Sequence, residues 1–191
     1  IQFELKSEIV SIQLFSDKIL RISAQSKEIS SKTESFVVKA KASESLAWES
    51  IKQNNSEGYV CGAIKVLKTE SGALKFFYKD KEIIAEAEKG RSYPKNDLPN
   101  KEDRLGAEQI FQLNKGDALY GLGQFPHGIL NWRGQKVTLI HGNVTVINPF
   151  LCSTGGWGML WDNASHTEFE DSQKGMRLWS EVAEGVDYYL C

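Results

Sequence analysis

The stretch Gln53-Asn54-Asn55-Ser56-Glu57-Gly58-Tyr59-Val60-Cys61-Gly62-Ala63-Ile64-Lys65-Val66-Leu67-Lys68, continuing through Thr69-Glu70-Ser71-Gly72 into Ala73-Leu74-Lys75-Phe76-Phe77-Tyr78, Lys79-Asp80-Lys81 and Glu82 to Glu88, decides the fold class. The segment Tyr59 to Lys68 alternates apolar and polar residues, the two-residue period of a half-buried strand. Gln53 to Gly58, Ser71-Gly72 and Lys79-Asp80-Lys81 are turn signals between such runs. Strands of about ten residues, each closed by a turn, mark an antiparallel all-β meander.

The same pattern extends in both directions. Ile1 to Ala24 gives two or three short strands around the Ser16-Asp17-Lys18 turn. Ser26 to Ser35 reads as an exposed loop, and strands are expected again at Phe36-Val37-Val38 and from Leu46 to Trp48. Lys89 to Gly106, with Pro94 and Pro99, reads as a long polar connection, after which Glu108 to Leu113 alternates again. No long amphipathic helix and no internal repeat is evident.

At 191 residues the chain fits one domain. With 41% apolar and 25% charged residues its composition is that of a folded globular chain. A net charge of -2 leaves no electrostatic footprint for nucleic acid, and no apolar run approaches the roughly 20 residues that cross a bilayer. Cys61, Cys152 and Cys191 have no metal-ligand spacing and are expected to be small buried apolar residues. The chain starts at Ile1 with no leader and stops in the apolar run Val186 to Cys191, as a processed chain or a fragment would.

Residues 1–110 hold 35 of the 48 charged groups, whereas residues 111–191 hold 11 of the 16 glycines and four of the five tryptophans. The first part is expected to have a solvated outer face, and the second to be covered by a ligand or another domain. Asp117 to Asn163 concentrates the candidates. Gly121-Leu122-Gly123 is followed by Pro126 and no helix, so it does not cradle a phosphate. No nucleophile motif is present, and His141, His166 and Asp162 have no spacing that demands a metal. No cofactor is implied. Asp162 reads as an Asx-turn residue, and no acid sits where its carboxyl would stay protonated near neutrality. No catalytic residue is therefore assigned.

What remains is a set of loop amides, imidazoles and an indole: Gln124, His127, Asn131, Trp132, His141 and Asn143. Each suits a sugar hydroxyl, and each also suits a bond that merely shapes a loop. Trp132 in Asn131-Trp132-Arg133-Gly134 is expected in an exposed turn. Tyr120, Phe150, Leu151, Trp157, Met159 and Trp161 are expected as sandwich core and support toward a neighbouring domain. The sequons at Asn143 and Asn163 are not read as glycosylated.

Leu119-Tyr120-Gly121-Leu122-Gly123-Gln124, Asn131-Trp132-Arg133-Gly134, Asn148 to Ser153, Gly156 to Asn163 and the closing Val186 to Leu190 resemble the N-terminal domain of glycoside hydrolase family 31. That family contains α-glucosidases and α-xylosidases. The resemblance covers about Asp117 to Cys191. It implies an antiparallel β-sandwich of the galactose-mutarotase-like type placed before a (β/α)8 barrel with the catalytic aspartates. The family's W-x-D-M-N-E nucleophile run is absent from these residues. It further implies that His141-Gly142-Asn143-Val144-Thr145 reaches the barrel mouth, with Asn143 where many α-glucosidases carry Asp. The surrounding sequence is closer to the α-xylosidase-like branch. The expected role is a non-catalytic domain that shares an α-glucoside or α-xyloside substrate with a C-terminal barrel of the same polypeptide. The alternatives are a free-standing carbohydrate-binding module, an aldose epimerase of related fold, and an interface domain without sugar contact.

Overall fold

Residues 56–88 supply four consecutive strands of one sheet. The structure, a computed structural model, describes residues 1–28, 34–53, 56–95 and 105–191. Within that stretch lie β5 (Ser56–Cys61), β6 (Ile64–Lys68), β7 (Leu74–Tyr78) and the start of β8 (Lys81–Ser92), each antiparallel to the next. Lys79 and Asp80 both take positive φ, 49° and 63°, between the paired ends Tyr78 and Lys81. Two left-handed residues make the tight connection whose twist matches the strands it joins.

The expected single strand Tyr59 to Lys68 is a hairpin instead. Gly62, at φ 59°, turns the chain between the paired Cys61 and Ile64. Cys61 and Ile64 face the core on the two arms although they are three residues apart, so the turn reverses the parity of the alternation. Of the Gln53 to Gly58 turn, Asn54 and Asn55 lie outside the described residues, and Ser56 to Gly58 already belong to β5.

β8 is longer than expected and takes in Lys89 to Ser92, bent by a register shift between Glu86 and Arg91 with Lys89 at φ 55°. The rest of the polar connection, residues 96–104, lies outside the description, as do residues 29–33 of the earlier loop. Phe36 to Val38 are not a strand. The Ser35 Oγ accepts from the backbone N–H groups of Val37 and Val38, and Phe36 is 82% exposed. Among the described residues no strand pairs with that run to bury it. Leu46 to Trp48 likewise precede β4 (Glu49–Gln53) rather than forming a strand.

The nine-stranded sheet is completed by β9 (Ala107–Gln112), β15 (Gly175–Ser180), β14 (Thr167–Ser172) and β11 (Lys136–Leu139), in the order β11-β14-β15-β9-β8-β7-β6-β5-β4. The second sheet has seven strands. Its order is β1 (Gln2–Glu4), β2 (Glu8–Leu14), β3 (Leu20–Ser26), β16 (Val186–Leu190), β13 (Trp157–Trp161), β12 (Val146–Ser153) and β10 (Leu119–Gln124). All pairings are antiparallel, and the described residues contain no helix. Both halves of the chain supply strands to both sheets, since β3 pairs with β16 across the whole sequence.

The inner faces meet in an apolar core that includes Val10, Ile12, Ile22, Phe76, Phe111, Met159, Trp161 and Phe169. Close packing of two such faces is what a sandwich buries. One polar cluster crosses it. Arg91 Nη2 donates to Glu86 Oε2 at 2.5 Å and Nη1 to Glu8 Oε1 at 2.6 Å, linking β8 to β2. The Tyr188 hydroxyl donates to Glu86 Oε1 at 2.8 Å and the Tyr93 hydroxyl to Glu8 Oε2 at 2.6 Å. Burial disfavours charge on Arg91, but Glu86 and Glu8 outweigh it and hold the guanidinium protonated. Burial pushes both tyrosine hydroxyls well above their usual range. A buried acid is tolerable only when paired and hydrogen-bonded in this way.

Candidate functional site at the β10–β11 edge

β10 ends the seven-stranded sheet and β11 ends the nine-stranded one, so the connection between them closes one side of the sandwich. An open sheet edge presents unpaired N–H and C=O groups that must be covered. Here the 131–132 turn covers them. The Trp132 N–H donates to Leu119 O at 2.9 Å, its indole N–H to Gly121 O at 3.0 Å, and Leu119 N–H donates to Asn131 Oδ1 at 3.0 Å.

Gly121-Leu122-Gly123 is a bulge in β10, where the register to β12 shifts and all three residues take positive φ. A Cβ at Gly121 or Gly123 would overlap the carbonyl oxygen of Phe150 or Val146. The glycines therefore serve close backbone approach within a sheet.

Trp132 corrects the expectation of an exposed turn. It is 2% exposed and its ring lies edge-on to Phe125, His127 and Phe169, at centroid distances of 5.1, 6.2 and 6.3 Å. The turn is polar in sequence, but a sandwich open at one side needs a large apolar plug, and Trp132 supplies it. Arg133 fixes the turn from outside. Its Nε donates to Asp171 Oδ2 at 2.8 Å, the same oxygen accepts from Gly134 N–H at 2.7 Å, and Nη1 reaches Asp117 O at 3.0 Å. Sequence reading missed this clasp, because nothing local joins Arg133 to a residue 38 positions away.

The six candidates separate into groups. Asn131 is exposed, yet its Oδ1 is occupied by Leu119 and Arg133 N–H groups. It lines an open cleft of about 910 Å³ with Asp117, Arg133, Lys136 and Asp171, at the start of β10. Gln124 closes the other end of that strand, roughly 17 Å away at 3.3–3.4 Å per residue. There it pairs with Val146. Beside it the chain makes a tight hairpin in which Gly142 and Thr145 exchange backbone hydrogen bonds of 3.1 and 3.4 Å. Asn143 and Val144 are its exposed tip. His141 stands at its base, where Nδ1 accepts the Ile147 N–H at 3.3 Å. His127 stacks on Phe125 with ring centroids 5.3 Å apart. The structure thus gathers Gln124, His141 and Asn143, sets His127 on the plug, and leaves Asn131 and Trp132 in structural bonds.

Elsewhere the buried acids Asp171, Asp187 and Glu86 are engaged in structure. Asp171 is held by Arg133, Asp187 by Arg21 and Glu86 by Arg91. The Asx turn expected at Asp162 belongs to Asn163, whose Oδ1 accepts from Ser165 N–H at 2.7 Å. Among the cysteines only Cys61 is buried; Cys152 and Cys191 are exposed, because they fall on the outer side of their sheet. His166 lies apart, edge-on to Trp179. Among the described residues no three His, Cys, Asp or Glu side chains converge to hold a metal.

The family model of the glycosyl hydrolase 31 N-terminal galactose mutarotase-like domain matches residues 9–170. The chain belongs to this family. This family 31 domain is 34% identical over 92 residues to an alpha-xylosidase of Saccharolobus solfataricus, covering 44% of this chain and 13% of that protein. It is 30% identical over 80 residues to an uncharacterized family 31 glucosidase of Pseudescherichia vulneris, covering 42% of this chain and 15% of that protein. Its fold matches a family 31 alpha-xylosidase from Xanthomonas citri at TM-score 0.78 and 26% identity, over 91% of this chain and 19% of the other. A soil-metagenome alpha-xylosidase complexed with xylose superposes at TM-score 0.80 and 20% identity, over 100% of this chain and 32% of the other. The domain thus spans less than a third of the length of each of these relatives.

Proposed function

We propose that this domain is a non-catalytic part of an α-glycosidase, of α-xyloside preference, and that it lends the 141–145 hairpin to a sugar site completed by a catalytic barrel of the same polypeptide. The observation that carries the reading is the hairpin tip itself. An amide and an imidazole, Asn143 and His141, stand beside Gln124 amid exposed Ile140, Val144 and Val146. Uncharged donors and acceptors among apolar groups suit a neutral polyhydroxylated ligand, and apolar side chains left in water at a loop tip suit a neighbouring protein surface.

The absence of a role in bond cleavage is supported by the carboxylates. Retaining glycoside hydrolysis uses two carboxyl groups about 5–5.5 Å apart across the scissile bond. Among the described residues the fully buried acids Asp187, Glu86 and Asp171 are committed to Arg21, Arg91 and Arg133, and the hairpin segment 140–147 contains no acid. The xyloside preference rests on the similarity to alpha-xylosidases and on Asn143 at the tip.

Isothermal titration of the 191-residue domain with xylose, isoprimeverose or maltose tests whether the hairpin suffices. No heat at millimolar sugar is the expected result, because three groups on one wall do not enclose a ligand. Saturable heat would instead make the domain a self-sufficient carbohydrate-binding module.

A further inference from the structure

Between β11 and β12 the chain changes sheets. β11 pairs with β14 in the nine-stranded sheet and β12 with β10 in the seven-stranded one, so the 141–145 hairpin hangs between two stems. Its own side chains do little to hold it, since Ile140, Val144 and Val146 are each more than half exposed. A segment with so little buried apolar surface takes its orientation from its backbone attachments. The Gly142–Thr145 pair closes the tip, and His141 Nδ1 accepts the Ile147 N–H. Two register pairs, Gln124–Val146 and Gly123–Ile147, tie the arm to β10 before the ladder breaks.

The break has a sequence basis. From Gly121 to Gly123 β10 advances two residues while β12 passes four, from Leu151 to Ile147. The additional residues fall in Asn148-Pro149-Phe150, where Pro149 has no N–H to give to a ladder. β10 follows the bend with three consecutive residues at positive φ, Gly121 at 114°, Leu122 at 64° and Gly123 at 108°. Leu122 is 1% exposed, so its core contact holds a backbone conformation that is strained for a residue with a Cβ. A bulge re-aims the strand beyond it, and beyond this one lies the hairpin. The two glycines meet different partners. A Cβ at Gly121 would overlap the Phe150 oxygen and crowd Leu151, on the sheet side of the bulge. A Cβ at Gly123 would overlap the Val146 oxygen and stand 2.8 Å from the Asn148 nitrogen and 3.0 Å from the Ile147 Cα, on the hairpin side.

We infer that Gly123 is a positioning residue for the sugar contact: its bare backbone lets residues 146–148 lie against β10 and so aims Asn143 at the substrate. This deepens the reading under Proposed function and rests on it. The Val146 oxygen would have to move to admit a methyl group at Gly123. Asn143 stands three residues from Val146 on a hairpin that the Gly142–Thr145 bonds close into one body, so the movement is passed to the tip. A hydrogen bond to a sugar hydroxyl tolerates little of it, since a shift of about 1 Å takes donor and acceptor out of reach.

The test is a double-mutant cycle in steady-state hydrolysis of an α-xyloside by the full polypeptide, with Gly121→Ala as the comparison. Asn143→Ala is expected to lower kcat/KM roughly 2- to 10-fold in the parent and in Gly121→Ala. In Gly123→Ala it should cost less than about 1.5-fold, because the contact is already lost there. Both glycine variants place a Cβ at positive φ against a carbonyl oxygen, so a merely structural role would move them alike. An undiminished Asn143 effect in Gly123→Ala would overturn the assignment, and so would its disappearance in both glycine variants. Where either variant fails to fold, Asn148→Gly loosens the same segment at an exposed position without an overlap, and Asn148→Ala controls for its side chain. The Asn143 effect should shrink in the first and persist in the second; equal effects in the two would overturn the assignment. A silent Asn143→Ala in the parent removes the sugar contact and the positioning role together, whereas an additive cycle removes only the positioning role.

Discussion

Arg91→Ala should destabilise the domain by about 3–5 kcal/mol, the cost of leaving buried carboxylates without their cation. Among the described residues Arg91 is the cation that pairs with both Glu8 and Glu86 in the network that joins β8 to β2, and its removal strands both acids between the sheets. Glu86 also accepts the Leu74 N–H at 2.9 Å and the Tyr188 hydroxyl, so both β7 and β16 feel the change. Chemical denaturation read by tryptophan fluorescence measures it. A loss below about 1 kcal/mol would mean that the acids regain water or protons cheaply, and that the cluster is not a sheet-to-sheet tie.

Trp132→Ala should cost a similar amount, about 3–5 kcal/mol, as large-to-small changes at buried aromatic sites do. The indole fills the open side between β10 and β11 and is packed by Phe125 and Phe169. It also donates to Gly121 O within the bulge. Trp132→Phe separates the two contributions, keeping most of the volume and losing the hydrogen bond, and should cost about 1–3 kcal/mol. Thermal unfolding of the pair checks the order. If Trp132→Ala melted like the parent protein, the plug reading would be wrong, and a ring swung out toward ligand would be the better account.

These two side chains also show what was legible in the sequence. The meander from residue 53 to 88, the all-β class and the inward Trp157, Met159 and Trp161 follow from a two-residue period, a local property. Trp132 is the opposite case. Its neighbours are turn residues, so local chemistry points outward, while the fate of its ring is set by Phe169 and by the two sheet edges it closes. The same gap hid the Arg133–Asp171 clasp and the pairing of β3 with β16, whose partners are far apart in sequence.

Apolar runs mislead for a related reason. Phe36-Val37-Val38 has strand composition but no partner strand among the described residues, and Phe36 and Val37 stay in water. By contrast, the sparse charge of residues 111–191 was informative once the register was known. Tyr120, Phe150 and Leu160 share the side of the sheet that carries exposed Cys152, and no ion pair lies over that side of β10, β12 and β13 among the described residues. Of the six candidate side chains, Gln124, His141 and Asn143 come together at one end of β10. Sequence proximity served well for the hairpin, because its geometry is local, and poorly for Asn131, whose neighbour in sequence turns the chain to the other end.

In the proposed function Asn143 reaches substrate across a domain boundary. Steady-state hydrolysis of an α-xyloside by the full polypeptide, parent against Asn143→Ala, tests it directly. Removal of one neutral hydrogen bond to a sugar hydroxyl is worth about 0.5–1.5 kcal/mol, so kcat/KM should fall roughly 2- to 10-fold. The tip is exposed in the domain and makes no core contact, so the melting temperature should stay the same. An unchanged kcat/KM in a variant that melts with the parent would remove Asn143 from the sugar site and leave the domain as a structural support alone.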